Sequence, residues 1–97
     1  MTVRNVVLGR LAEGADPARL DAALAALHHV RTPGMISMNT GRDLGLRAGG
    51  WDMAITCDFT DAAAYRAYDE DTEHERIRRE MFAPVCSEIA RAQIDLA

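Results

Sequence analysis

His74 and Tyr68 are the residues of this chain whose types and spacing most readily suggest chemistry. A neutral imidazole is a suitable base near pH 7, able to remove a proton beside a carbonyl. His74 falls near the start of a helical stretch, where the positive end of the helix dipole disfavours the imidazolium. Asp71, Glu73 and Glu75 push the other way, so the charge state stays open. Tyr68, six residues earlier, carries a hydroxyl that can donate to His74 or to a substrate oxygen. The plainer reading makes His74 an exposed first-turn residue and Tyr68 an ordinary packing aromatic.

Asn5 shares a strand face with Val7 and Gly9, so its amide can either bind a carbonyl or be a buried group satisfied by backbone. Trp51 opens a strand and reads as a core or rim aromatic, or as a wall on which a ligand stacks. Neighbouring His28 and His29 end a helix, where positive charge suits the dipole; adjacent residues face opposite ways and make a poor metal pair. Asp58, Asp61 and Asp69 form no metal motif. Cys57 and Cys86 belong to no CxxC pair and read as free, apolar core thiols. Neither a metal nor a cofactor is expected.

The elements that must position these groups follow from pattern. Val3 to Leu11 is rich in β-branched residues and stops at Glu13-Gly14. Asp16-Pro17 is a helix start, and Leu20, Ala23, Leu24 and Leu27 recur at helical spacing until Thr32-Pro33-Gly34. Met35 to Arg42 is a second strand, followed by a polar loop from Leu44 to Gly50. Trp51, Met53, Ile55, Cys57 and Phe59 then alternate with Asp52, Ala54, Thr56 and Asp58. Thr60-Asp61 caps a short helix bearing Tyr65 and Tyr68, and a longer helix from Glu73 to Ala90 follows, kinked or split at Pro84. Gln93 to Leu96 is a short closing strand.

The order β-α-β-β-α-β predicts an α+β, ferredoxin-like domain with a four-stranded antiparallel sheet, occupying residues 1–97 as a single unit. Both helices cover one face. The other, with Val6, Leu8, Ala54 and Thr56, is too apolar to leave in water. A second copy of the sheet is the simplest cover, giving a homodimer that closes a dimeric α+β barrel.

Composition limits the partners. At 97 residues the chain buries only about 60–65% of its unfolded surface, so an added interface helps it. The net charge is −4 and all 11 basic residues are arginines scattered among acids, which argues against nucleic acid and anionic membranes. Arg76, Arg78 and Arg79, interleaved with Glu73, Glu75 and Glu80, read as a solvated helix face. No apolar run nears the roughly 20 residues of a membrane span, and no leader is visible, so a cytoplasmic location is expected.

Several segments in this order resemble the Dabb family of stress-responsive, dimeric A/B barrels. They include Arg4-Asn5-Val6-Val7-Leu8, Thr32-Pro33-Gly34-Met35, Gly41-Arg42-Asp43 and Gly50-Trp51-Asp52-Met53-Ala54. Phe59-Thr60-Asp61, Tyr68 with His74, Phe82 with Pro84, and Gln93-Ile94-Asp95-Leu96 complete the match, which runs nearly end to end. The family includes polyketide cyclases of the olivetolic acid type and stress proteins without known chemistry. The resemblance implies an enzyme that closes a poly-β-ketone by intramolecular aldol condensation, with His74 as base and Tyr68 as its orienting partner. Asn5, Gly9, Leu27, Trp51 and Met53 would then contact a small, mostly apolar, oxygenated substrate.

This chain departs from the family in places. Many members have histidine where Asn5 stands, the cyclase has another at Met53, and its pocket aromatics are replaced by Ala23, Leu24 and Leu27. Gly9 stands where a larger apolar residue is usual, which implies a roomier, less polar pocket and a different substrate. Two other functions fit: a non-catalytic stress or ligand-binding barrel, and a cofactor-independent monooxygenase using Asn5 and Trp51.

Overall fold

The structure, a computed structural model, describes residues 1–96. Strand β1 (Val3–Leu11) leads to helix α1 (Pro17–His28), then β2 (Met35–Arg42) and β3 (Met53–Phe59). Helices α2 (Ala62–Asp69) and α3 (Thr72–Ile77), a π-helical turn (Arg78–Phe82) and β4 (Cys86–Asp95) follow. The sheet order is β2-β3-β1-β4, and every neighbouring pair is antiparallel. This is the ferredoxin-like arrangement expected from the pattern.

Each helix begins where a side chain satisfies an orphan amide. Asp16 accepts from the Ala18 amide at 2.9 Å, Asp61 from Ala64 at 2.8 Å, and Asp71 from both Glu73 and His74. Helix α1 buries Leu20, Ala23, Leu24 and Leu27 against the sheet. From the sheet, Val3, Val7, Met53, Ile55, Cys57 and Phe59 meet them, each large apolar side chain contributing about 1.5–3 kcal/mol by burial. Gly34, at φ +85°, turns the chain so tightly that a Cβ there would sit 2.5 Å from that of Ala64.

The opposite face of the sheet carries Val6, Leu8, Ala54 and Thr56, none of them buried, and no helix among the described residues covers them. No helix of the described residues is long and apolar enough to cross a membrane.

Two segments differ from the sequence expectation. The helix predicted to reach Ala90 stops before Pro84, and Cys86–Asp95 is instead a ten-residue strand paired along β1. Ala, Glu and Arg suit a helix locally, but the free edge of β1 offers a complete ladder of partners, and that tertiary pairing wins.

The alternation of β3 does not extend back to Trp51. The strand starts at Met53, because the Asp52 amide bonds the Gly9 carbonyl and its carboxylate takes the Leu11 amide at 2.7 Å. Trp51 turns to the open face, where the Arg10 guanidinium lies 4.1 Å over its ring.

Candidate active site

Between helices and sheet lies a small cavity built from seven elements. Its floor is Asn5 and Val7 of β1, Met53 and Ile55 of β3, and Ile89 and Arg91 of β4. Its wall is Leu27 of α1, Tyr65, Tyr68 and Asp69 of α2, His74 of α3, and Arg78 and Phe82 of the π-turn. The volume open to the centre of a water molecule is about 40 Å³. At about 10–15 Å³ for each such molecule, this admits about three or four small groups. The roomy pocket expected from Gly9 is absent, because Met53 occupies that space: a Cβ on Gly9 would meet the Met53 Cε at 2.4 Å.

Helix α2 ends at Asp69, and the last carbonyls of a helix lack partners within it. The Asp69 carbonyl is met by His74 Nδ1 at 3.3 Å. A carbonyl only accepts, so this contact favours the tautomer with hydrogen on Nδ1 and a free lone pair on Nε2. The His74 amide is itself bonded to Asp71 Oδ2 at 3.0 Å, which fixes the base of the side chain. His74 is half-buried, and burial lowers its pKa below the ordinary histidine value, against the opposing pull of the Asp69 carbonyl. The exposed first-turn reading is therefore corrected.

Tyr68 lies at the heart of the core, 2% exposed. Its ring stacks on His74 with centroids 4.2 Å apart and planes tilted by 31°, and on its other side it meets Phe59 at 5.1 Å. Burial pushes the Tyr68 pKa far above the normal tyrosine range, and neighbouring Cys57 pushes the same way. The tyrosine meets the histidine through its ring, and the imidazole takes its hydrogen-bonding orientation from a backbone carbonyl.

Asn5 is buried and satisfied by side chains: its Oδ1 accepts from Gln93 Nε2 at 2.9 Å, and its Nδ2 donates to Cys57 Sγ at 3.6 Å. Burial raises the Cys57 pKa, keeping the thiol protonated. Both cysteines are free, as expected.

Five of the seven residues singled out in the sequence thus come together: His74, Tyr68, Asn5, Leu27 and Met53. Gly9 and Trp51 do not join them. Gly9 is covered by Met53, and Trp51 lines a shallow depression with Leu8 and Ala54 on the other side of the sheet.

Four polar residues of the cavity, Tyr65, Asp69, Arg78 and Arg91, were not foreseen. Arg78 was assigned to a solvated face. In the structure Arg76, paired with Glu73 and Glu80, and Arg79, beside Glu80, behave so, while Arg78 turns to Asp69 and Glu75 at the cavity. The four-residue step from His74 to Arg78 is a signal that could have revealed this shared face.

The family model of the stress responsive A/B barrel domain matches residues 3–96. The chain belongs to the Dabb family. Among solved structures it resembles a dimeric ferredoxin-like protein of unknown function from Thermobifida fusca, at 26% identity and a TM-score of 0.91, over 99% of this chain and 92% of that one. A Dabb protein from Mesorhizobium loti shares the fold at 19% identity and a TM-score of 0.75, over 99% and 97%. A hydroxynitrile lyase from Passiflora edulis shares it at 23% identity and a TM-score of 0.81, over 99% and 95%. No protein of curated function matches the chain in sequence.

Proposed function

We propose that this Dabb protein is an acid–base enzyme needing no cofactor, which makes or breaks a carbon–carbon bond beside a carbonyl, with His74 as the base. The observation that carries this reading is the Asp69 carbonyl at His74 Nδ1, which favours a free Nε2 on a half-buried, cavity-lining imidazole. In the forming direction, Nε2 removes a proton from carbon next to a carbonyl. The resulting enolate attacks a second carbonyl, and the imidazolium returns the proton to the new alkoxide. Intramolecular aldol closure of a poly-β-ketone is the reaction of this type implied by the family resemblance. Cleavage of a hydroxynitrile uses the same device in reverse: the base takes the hydroxyl proton, the carbonyl re-forms as the bond to the nitrile carbon breaks, and the departing cyanide takes the proton from the imidazolium. The small cavity favours a short reacting segment over a long chain.

Tyr68 acts here as a positioning residue, holding the imidazole by its ring face, while Asn5 has an amide hydrogen left for a substrate oxygen. The monooxygenase reading loses support, since Trp51 stands apart from Asn5. A homodimer joined through Val6, Leu8, Ala54 and Thr56 completes the proposal, in keeping with the dimeric neighbour from Thermobifida fusca.

The test is turnover of a panel of short β-diketones, linear poly-β-ketones and cyanohydrins, with products identified by mass spectrometry. Loss of at least about 100-fold in His74→Gln is expected for a general base. Turnover unchanged in that variant would return the protein to the non-catalytic barrel.

A further inference from the structure

Proton transfer by His74 leaves one strong charge in the cavity without a task. Of the two arginines lining it, Arg78 is paired with the carboxylates of Asp69, at 3.6 Å, and Glu75. Arg91 has no carboxylate within ion-pairing distance among the described residues. It pairs with Val7 in the sheet register and so shares the helix-covered side, where it lines the cavity beside Tyr65. The two interact: the Arg91 charge works against the upward push that burial and Asp69 exert on the Tyr65 hydroxyl. A guanidinium and a phenolic hydroxyl, both donors, thus meet at one cavity, with the imidazole of His74 in the same wall.

We propose that the substrate is a short keto acid, its carboxylate held by Arg91 and the Tyr65 hydroxyl and its carbonyl turned to His74. This rests on the acid–base reading of His74. One unpaired guanidinium matches one negative charge, and its fork suits a planar carboxylate. A carboxylate with a short apolar tail fits a 40 Å³ space walled by Val7, Ile55 and Ile89. Arg91 and Tyr65 thereby act as specificity determinants, selecting acids over esters and amides of the same shape.

The experiment is an NMR titration of the isotope-labelled protein with butyrate, and with butyramide as its uncharged counterpart. Butyrate is expected to shift the signals of Tyr65, His74 and Arg91 saturably, and butyramide to bind at least about tenfold more weakly. Arg91→Gln should weaken butyrate by about tenfold or more, and Arg91→Lys should fall between. Arg91 is exposed on its strand, and a dispersed spectrum of each variant shows that it folds. Equal binding of acid and amide, no saturable shift with butyrate, or butyrate binding untouched in Arg91→Gln would each overturn the proposal. Arg91-dependent binding together with His74-independent turnover would sink the base assignment and leave the carboxylate site standing. If Arg91→Gln lowers kcat equally for a keto acid and its methyl ester, with KM unchanged, the guanidinium serves the enolate and the keto-acid preference is wrong.

Discussion

The ring of Tyr68 lies against the imidazole of His74, with 4.2 Å between centroids and planes tilted by 31°. The tyrosine therefore supports the histidine by shape. Tyr68→Phe keeps the ring and loses only the hydroxyl, so it should cost no more than about 1 kcal/mol in stability and less than tenfold in turnover. Tyr68→Ala opens the core and should cost about 3–5 kcal/mol by denaturant unfolding. Turnover abolished in a well-folded Tyr68→Phe would instead make the hydroxyl a reacting group.

Asp71 links the local fold to the site, because its carboxylate caps α3 through the amides of Glu73 and His74. Asp71→Ala should lose about 0.5–2 kcal/mol, as for other N-cap aspartates, and Asp71→Asn should recover most of it. Turnover should fall further than stability explains, since the His74 backbone loses its tether. A variant with lower stability and full turnover would show that the cap does not position the imidazole.

The lowered pKa of His74 makes stability depend on pH in a defined window. Unfolded chains take up the proton first, near pH 6.5, while the folded protein resists until its own lower pKa. Stability should thus be full above about pH 7, decline as pH falls through 6.5, and level off below the folded value. His74→Gln should flatten that part of the curve, measured as thermal midpoint against pH. An unchanged curve would assign the decline to other groups.

The two thiols should differ in reactivity. Cys57 is fully buried beneath Tyr68 and Asn5, whereas Cys86 is partly exposed at the start of β4. Burial raises the pKa of both, so reaction with a disulfide reagent should be slow at pH 7. One thiol per chain should react in the native protein and two in denaturant. Two fast thiols in the native state would contradict the closed core around Tyr68.

The sheet and first helix could be read from the sequence because burial there imposes strict periods. Val3, Asn5 and Val7 alternate with Arg4, Val6 and Leu8, and the α1 stripe recurs as a helix requires. The C-terminal strand was hidden. Ser87-Glu88-Ile89-Ala90-Arg91 has helical composition, and only pairing with β1, far away in sequence, makes it extended. Arg91 was lost with that error, since a residue left between a helix end and a short closing strand could not be set beside Val7. The meeting of Tyr68 and His74 was suggested by family resemblance, but not its form. Whether the hydroxyl or the ring makes the contact depends on Cys57 and Asp69, whose positions come from packing. Trp51 misled because alternation has no meaning beyond the last paired residue of a strand.

The most direct test of His74 as a protected neutral base is a nitrogen-15 NMR pH titration of its imidazole. The expected result is an Nδ1–H tautomer with unprotonated Nε2, neutral at pH 7 and titrating below the ordinary histidine value. An Nε2–H tautomer, or titration like that of a free histidine, would contradict the account.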